Sequence, residues 1–272
     1  MIIDFHAHIF PPDVRERRDD YVARDITFAE MYADPKAEIA TAEDLLASMD
    51  EAGVDVSVAV GFAWADHDDI VRHNDYLLES AAQSSGRIIA FTTINMGDAR
   101  AEAEIERCAA AGARGLGELR PDNQLWDLNK KPGEVLASVA AKWGLIVLFH
   151  VTEPGDNTYP GRNGLQLGIF RTFANKFSTL PVVGAHFGGG FFAADPGNRA
   201  NPFVDTAAQP FLHPGEHAIP AIQAIPPNRL LFGSDFPLIT QKRQLAELSA
   251  AIADGDRLEA ALGENARKLL NL

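Results

Sequence analysis

The chain has 272 residues, 46% hydrophobic and 23% charged, a composition that fits a globular protein with a normal core and excludes a disordered chain. Its net charge of -14 argues against nucleic acid and anionic membrane surfaces as partners, because both select clusters of Lys and Arg. The single cysteine excludes an intramolecular disulfide, and neither a leader peptide nor an apolar run of the ~20 residues that span a membrane is present, so we expect a cytoplasmic protein.

Short apolar runs recur along the whole sequence. Each has about the length of a strand and shows little alternation of polar and apolar residues until its end, which is typical of strands covered on both faces. In chain order they are MIIDF, DVSVAVGF, RIIAFTTI, GLGEL, GLIVLFH, LPVVGAH, NPFVDTAA and RLLFGSD.

Several segments between these runs carry helix signals. Residues 40–53, 98–112 and 132–144 begin with Thr, Asp or Pro near the first turn and end at Gly, as helices prefer. The segment after the sixth apolar run has a poor helix signal. Alternation of eight strands with helices predicts one domain over residues 1–272, folded as a distorted (β/α)8 TIM barrel.

The alternative is an open, doubly wound sheet. That fold needs a glycine-rich phosphate turn after its first strand, whereas this first strand ends in His-Ala-His. Long connections are expected after strands 1, 5 and 6, over residues 9–40, 152–164 and 187–201, and such connections often form binding loops or lids.

Polar residues close several of the predicted strands. Strand 1 carries Asp4, His6 and His8, and residues two apart on a strand point the same way, so we expect these three on one face. The carboxyl ends of barrel strands meet at one mouth, where active sites form. The other residues expected there are His150 after strand 5, His186 after strand 6 and Asp235 after strand 8.

Imidazole and carboxylate groups together select zinc or a similar divalent transition ion. Such an ion lowers the pKa of a bound water from 15.7 toward about 7 and makes it a nucleophile. Asp235 is a candidate ligand that also takes the proton of that water and passes it to a leaving group. One of the histidines would be left to polarise a carbonyl group.

The motifs DFHAH, LFHVTEP, GAHFGGG, GSDFP and GENARKLLNL resemble, in the same order, those of the amidohydrolase superfamily. Within the superfamily they resemble the amidohydrolase-related branch, which includes aminocarboxymuconate-semialdehyde decarboxylase. The resemblance implies a distorted barrel with a metal ion held by His6, His8, His150 and Asp235. It also implies that His186 is either a ligand of a second ion or a catalytic histidine, and homodimers are common in this branch.

Strand 4 contributes another acidic group, Glu118, in GLGELRP. It resembles the glutamate that bridges two metal ions in TatD-like hydrolases, although an ion pair with Arg120 would explain it as well. Arg120 is a candidate for binding a substrate carboxylate, since its planar guanidinium matches that shape. Phe10 and Trp64 are expected in an apolar substrate pocket, with core packing as the alternative.

Two reactions on a small molecule follow from this site. The first is hydrolysis of an ester, lactone or amide by metal-activated water, with Glu118 favouring this reaction and zinc as the expected ion, one or two per chain. The alternative is non-oxidative decarboxylation or hydration of an unsaturated or aromatic carboxylic acid. Mn, Co or Fe would also suit the donors. A binding protein without turnover is a third hypothesis, which the complete ligand set disfavours.

Overall fold

The computed structural model describes residues 1–152, 161–194 and 202–272, and strands and helices alternate along them. The strands are β1 (Ile3–His8), β2 (Val56–Val60), β3 (Ile88–Thr92), β4 (Gly115–Leu119), β5 (Ile146–Phe149), β6 (Val151–Thr152), β7 (Leu165–Gln166), β8 (Val182–Gly184), β9 (Phe203–Asp205) and β10 (Leu230–Leu231).

Within these residues, eight strands form one parallel sheet in the order β1-β2-β3-β4-β5-β8-β9-β10, and β6 pairs with β7 separately. The edges of the large sheet approach each other, because the amide of Phe5 donates to the carbonyl of Phe232 and the amide of His8 to that of Phe236, at 2.8 and 2.7 Å. The result is a nearly closed (β/α)8 TIM barrel. All eight strands predicted from the apolar runs are present, and the barrel prediction is confirmed.

The helices described in the structure cover the outside of the barrel and fill its connections. They are α1 (Pro12–Glu16), α2 (Arg18–Arg24), α3 (Ile26–Tyr32), α4 (Ala42–Ala52), α5 (His67–Gln83), α6 (Ala101–Ala110), α7 (Lys131–Trp143), α8 (Leu167–Lys176), α9 (Phe191–Ala194), α10 (Gln209–Leu212), α11 (Ala218–Ala224), α12 (Gln241–Ala251), α13 (Gly255–Glu259) and α14 (Asn265–Leu270). None of them combines the length and the apolar character needed to cross a membrane.

The three helices predicted from their ends are α4, α6 and α7. Thr41 and Asp44 form a capping box at the start of α4, and Gly53 ends it with φ of 73°. Helix α6 begins at Ala101, later than the expected start at Asp98. The Asp98 side chain accepts hydrogen bonds from the amide and the guanidinium of Arg100, which forms a turn before the helix.

The long connection after β1 is present, but it is not an irregular loop, because it folds into α1, α2 and α3. The connections expected over 152–164 and 187–201 lie partly outside the described residues, at 153–160 and 195–201. In the part of the sixth crossover that the structure describes, the four residues of α9 agree with the poor helix signal.

Two register shifts decide which side chains face the inside of the barrel. One lies in β1 between Asp4 and Ala7. Ile3 and Phe5 belong to the cluster that collects apolar residues from most barrel strands, whereas Ala7 and Ile9 belong to the cluster beneath the helices. A strict two-residue period would place all four on one face, so the shift turns His6 and His8 inward.

The second shift lies in β4, between Leu116 and Leu119. These two leucines are three residues apart, yet both pack in the cluster beneath the helices. The extra residue leaves Glu118 on the inner side, next to Gly117, whose missing side chain leaves room for Leu148.

Asp4 does not share a face with His6 and His8, so that expectation is wrong. The shift in β1 separates it from them, and its buried carboxylate accepts hydrogen bonds from the Ser234 hydroxyl and the Gln241 amide at 2.6 and 2.7 Å. Asp4 therefore joins the first strand to Ser234 and to the first residue of α12 instead of facing the mouth.

An aromatic cluster beside the mouth anchors the helices that follow β1. It packs Phe10, Tyr21, Phe28, Tyr32, Phe62 and Trp64 together with smaller apolar residues. His73 is part of it: the ring stacks on Phe10 at 5.1 Å, accepts from Trp64 Nε1 at 3.0 Å and donates from Nε2 to the carbonyl of Ile9 at 2.7 Å. Burial lowers the pKa of this imidazole to about 4, so His73 is neutral at pH 7.

Replacing His73 with Phe leaves Nε1 of Trp64 and the carbonyl of Ile9 without the imidazole that binds them. We expect the free energy of unfolding to fall by about 1–3 kcal/mol for each of these groups. Because the pKa of His73 is lower folded than unfolded, its contribution is complete above about pH 6.5 and is lost as the pH falls toward about 4. Urea unfolding of metal-free protein gives the free energy of unfolding of wild type and variant at each pH. The difference between the two should narrow as the pH falls from 7.5 to 4.5. The exposed His217, changed to Phe, is the control, and a gap that does not vary with pH would contradict this account.

Candidate metal centre

The mouth of the barrel brings together six buried side chains that the sequence analysis selected, and all are at most 7% exposed. They form two groups whose potential ligand atoms lie within 4.8 Å of one another. The first group is His6, His8 and Asp235, and the second is Glu118, His150 and His186. The resemblance had implied His150 in one set with His6, His8 and Asp235, whereas here its ring faces Glu118 and His186.

The first group is compact. Nε2 of His6 lies 3.2 Å from Nε2 of His8, and Oδ1 of Asp235 lies 3.7 and 3.4 Å from these two atoms. Oε2 of Glu118 lies 3.6 Å from both imidazole nitrogens. Five of the distances that join these four atoms therefore lie between 3.2 and 3.7 Å.

The second group uses the other carboxylate oxygen of Glu118. Oε1 lies 2.8 Å from Nδ1 of His150 and 3.2 Å from Nε2 of His186, and the two nitrogens are 3.0 Å apart. One oxygen of Glu118 thus faces each group. This is the placement expected of a carboxylate between two ligand sets.

The donor set fits a divalent metal ion. An ion with tetrahedral bonds of about 2.1 Å separates its ligands by about 3.4 Å, and the distances that join the three atoms of the first group and Oε2 of Glu118 scatter around that length. Burial of several imidazoles and carboxylates with their lone pairs converging is costly without a compensating charge. The residues present are thus suited to an ion, and nitrogen and oxygen donors admit zinc or manganese.

A buried aspartate that the sequence analysis missed fixes two of the histidines. Oδ2 of Asp205, at the end of β9, accepts from Nδ1 of His6 at 2.9 Å, which leaves Nε2 of His6 free to face the first group. Oδ1 accepts from the amides of His186 and Ala207 at 2.9 and 3.1 Å. Such an acceptor sets the tautomer and the orientation of a ligand histidine.

His186 is held in the same manner. Its Nδ1 donates to the carbonyl of Ala207 at 3.1 Å, so Nε2 faces Glu118 and the cavity. Its φ of 57° and that of Asp235, 63°, lie in the left-handed region that residues with a side chain rarely adopt. Two of the site residues therefore hold uncommon backbone conformations, a feature often found at functional sites.

The charges in the cluster shift the pKa values in opposite directions. Burial raises the pKa of Asp235, but the hydrogen bond from His8 and the charge of His6 outweigh it and bring that pKa to about 2. Burial lowers the pKa of His186, but the hydrogen bond to Glu118 and its charge raise it to about 9. Without an ion, Asp235 is ionised and His186 is protonated at pH 7.

A narrow inner cavity of about 30 Å³ opens above the two groups. Its walls include Met31, Phe62 and Leu238, and Arg120 and His150 also line it. A wider cavity of about 280 Å³ shares part of its wall. The two cavities share the residues His8, Met31, Tyr32, Asp235 and Leu238.

The expected substrate contacts are placed differently by the structure. Phe10 and Trp64 do not line either cavity, because both are buried in the aromatic cluster, at 0% and 1% exposed. Arg120 does line the inner cavity. Its guanidinium contacts Glu30 at 3.4 Å and Asp122 at 3.5 Å, so among the described residues it is these acids, and not Glu118, that pair with it.

A family comparison decides the relationship that the motifs indicated. The model that describes amidohydrolases matches residues 3–272. The chain belongs to the amidohydrolase family. This confirms the resemblance drawn from DFHAH, GSDFP and the other motifs. A comparison with curated proteins gives no significant match.

Solved structures share the fold of this amidohydrolase over its whole length. 5-Carboxyvanillate decarboxylase from Sphingomonas paucimobilis is 18% identical with a TM-score of 0.78, covering 100% of this chain and 99% of that one. A dihydroxybenzoic acid decarboxylase from Polaromonas, with bound manganese and the inhibitor 2-nitroresorcinol, is 16% identical with a TM-score of 0.74, covering 100% and 97%. The Acinetobacter baumannii protein named probable 2-pyrone-4,6-dicarboxylic acid hydrolase, with citric acid bound, is 16% identical with a TM-score of 0.70, covering 100% and 99%. At these identities the likeness establishes the fold.

Changing Glu118 to Gln is expected to lower the number of metal equivalents bound per chain, because a neutral amide offers one oxygen where the carboxylate offers two. Elemental analysis of protein dialysed against Zn²⁺ or Mn²⁺ measures this. The matched control is Glu104→Gln, which alters a buried glutamate that binds Asn74 and Arg107 in α6. Unchanged metal content in the Glu118 variant would remove Glu118 from the ligand set.

Changing Asp205 to Asn is expected to weaken metal binding by about 10- to 100-fold. The asparagine oxygen can still accept from the amide of His186, but its NH₂ group then faces Nδ1 of His6 and favours the tautomer whose proton sits on Nε2. Competition with a chelating indicator measures the affinity, and imidazole ¹⁵N spectra report the tautomer. Asp25→Asn, in a buried helix cap remote from the ligands, is the control. A His6 tautomer identical in wild type and variant would refute this role.

Proposed function

We propose that this protein is a divalent-metal-dependent enzyme that removes the carboxyl group of a small aromatic or unsaturated carboxylic acid without an oxidant. One observation carries the proposal: a single cavity combines the buried histidine and carboxylate cluster, the guanidinium of Arg120 and apolar walls. Such a cavity suits a flat apolar body that bears an acidic group. The decarboxylases among the structural neighbours support this choice of reaction.

A divalent ion held by His6, His8 and Asp235 would bind substrate oxygens and stabilise the negative charge that develops on them. The manganese in the Polaromonas neighbour supports a divalent ion and makes Mn²⁺ as reasonable an occupant as Zn²⁺. In this proposal His150 and His186 bind no ion, and Glu118 orients both of them through its Oε1 atom.

The other residues divide the work of orienting the substrate and moving a proton. Arg120 orients the substrate carboxylate at the inner end of the cavity, and Met31, Phe62 and Leu238 enclose the ring. Asp235, as a ligand of the ion, would supply no proton, whereas Nε2 of His186 lines the cavity, lies 3.2 Å from Oε1 of Glu118 and is placed to carry one.

The reaction needs only these groups and water. The bond between the ring and the carboxylate carbon breaks, its electron pair stays on the ring carbon, and that carbon takes the proton from Nε2 of His186 as CO₂ leaves. Water returns a proton to His186, and the hydroxide formed combines with CO₂ as bicarbonate.

Hydrolysis of an ester or lactone is the second candidate, favoured by the position of Glu118 between the two ligand groups. In that case His150 and His186 would hold a second ion, and the ionised Asp235 would accept the proton of the attacking water. The Acinetobacter baumannii neighbour supports this reaction class. The two candidates thus differ in the expected number of metal ions per chain.

The test uses a panel of hydroxybenzoates and methoxy-hydroxybenzoates beside aryl esters and pyrone lactones, with metal-loaded protein in ²H₂O. We expect one CO₂ per product molecule and deuterium at the former carboxyl position. His186→Asn should lower kcat by about 10²- to 10⁴-fold, the usual effect of a lost general acid. His213→Asn, outside the two ligand groups, is the control. Acid formation from the lactones without CO₂, at two metal ions per chain, would establish hydrolysis instead.

A further inference from the structure

Asp4 is a buried carboxylate that neither of the two reactions described above uses. It is 0% exposed, lies on β1 two residues before His6, and lines neither cavity. Oδ1 accepts from the amides of His6 and Ser234 at 3.1 and 2.9 Å. Oδ2 accepts from the hydroxyl of Ser234 and the side-chain amide of Gln241 at 2.6 and 2.7 Å. Two of these four hydrogen bonds therefore hold Ser234, the residue next to the candidate ligand Asp235.

The turn around Asp235 is held on both sides. The backbone of Asp235 has φ of 63°, a conformation that residues with a side chain rarely adopt. The hydroxyl of Ser234 accepts from the amide of Phe236 at 3.0 Å, so this side chain spans Asp235. The amide of Asp235 itself donates to the carbonyl of His6 at 2.9 Å. These bonds fix the direction in which the side chain of Asp235 leaves the backbone.

The carboxylate of Asp4 decides which way the hydroxyl of Ser234 points. That hydroxyl has one proton, and Oδ2 of Asp4 accepts it at 2.6 Å, whereas the other acceptor, the carbonyl of His6, lies at 3.4 Å. A lone pair is then left for the amide of Phe236. Because Asp4 also binds the amide of His6, it joins the backbones that carry Nε2 of His6 and Oδ1 of Asp235, two atoms 3.7 Å apart.

Asp4 is itself fixed from the side of the helices. Gln241 is the first residue of α12, and its side chain is fully buried. Its Nε2 atom donates both to Asp4 and to Oγ of Ser57 in β2, the latter at 2.9 Å. The position of the carboxylate thus depends on the barrel and α12, and not on a bound ion. A group held in this way can impose its geometry on Ser234.

We propose that Asp4 is a positioning residue of the metal centre. Acting through Ser234, it holds Asp235 in its left-handed conformation with Oδ1 facing the Nε2 atoms of His6 and His8. Its role complements that of Asp205, since Asp205 orients an imidazole and Asp4 orients a carboxylate. The inference rests on the metal centre of the proposed function, but it does not depend on which of the two reactions takes place there.

The test measures the affinity for Zn²⁺ by competition with a chelating indicator. Asp4→Asn places an NH₂ group opposite the hydroxyl of Ser234 and the amide of Gln241, both of which donate to Oδ2. We expect this variant to bind Zn²⁺ about 10- to 100-fold more weakly. Ser234→Ala removes the hydroxyl between Asp4 and Phe236 and should weaken binding in the same range. Because the two residues act in series, the double variant should bind no more weakly than the weaker single variant.

Two variants are matched controls. Ser84→Ala removes another buried hydroxyl that accepts from a main-chain amide, that of Ile88, at the amino end of β3 and so opposite the mouth. Glu104→Gln changes a buried carboxylate of α6 that binds Asn74. Both alter buried polar contacts away from the ligand groups, so we expect wild-type affinity for Zn²⁺ whatever their Tm.

The visible spectrum of Co²⁺-loaded protein and the Tm of metal-free protein separate positioning from a loss of stability. The Co²⁺ bands depend on the geometry of the ligands, so they should change in Asp4→Asn and Ser234→Ala and stay as in wild type in the controls. If Asp4→Asn does not fold, the comparison of Ser234→Ala with Ser84→Ala decides the question alone.

Three results would count against the inference. A lower Tm with wild-type affinity and Co²⁺ spectrum would make Asp4 a structural link only. Additive losses in the double variant would show that Asp4 and Ser234 act separately. Either of these results overturns the inference and leaves the proposed function standing. A wild-type protein that binds neither Zn²⁺ nor Mn²⁺ would contradict the proposed function together with the inference.

Discussion

The carboxylate of Glu118 is the point on which the whole site depends. Its two oxygens face two different clusters of imidazoles, so one side chain fixes the relation between groups drawn from the first, fifth, sixth and eighth strands of the barrel. Such a concentration of buried ionisable groups opposes folding unless opposite charges are matched closely. The matching extends outward to Asp205, which holds the ring of His6 and the backbone of His186. The site is therefore a continuous polar structure embedded in an apolar barrel.

The scaffold and the cavity wall have different origins in the chain. The candidate ligands stand at the ends of barrel strands, which are held by the sheet and by apolar packing on both sides. The outer wall comes largely from the segment after β1, whose helices are joined to the rest by the aromatic cluster and by contacts such as that between Arg120 and Glu30. In a family built this way, changes in the segment after β1 can alter which substrate fits, while the strand ends keep the same metal-binding side chains.

Much of this arrangement could be predicted from the sequence, because strand ends in a parallel barrel meet at one place whatever the details of packing. The six ligand candidates needed only the strand pattern and their chemical type. Asp205 could have been found by the same rule, since an acidic residue directly follows the apolar stretch PFV in NPFVDTAA. Asp4 was misplaced because a register shift leaves no mark in the alternation of residues. The sequence does not reveal that Phe10 is buried inside the aromatic cluster whereas Tyr32 lines the cavity, because that difference depends on tertiary packing within the cluster.

The register shifts in β1 and β4 also make the site sensitive to a particular kind of sequence change. Each shift adds one residue to a strand whose apolar positions otherwise alternate. A substitution that favours strict alternation, so that the shift is lost while the chain length is kept, would turn the histidines of β1, or Glu118, toward the helices. These two strands must therefore keep their irregular register, and not only their candidate ligands, for the folded barrel to present a metal site.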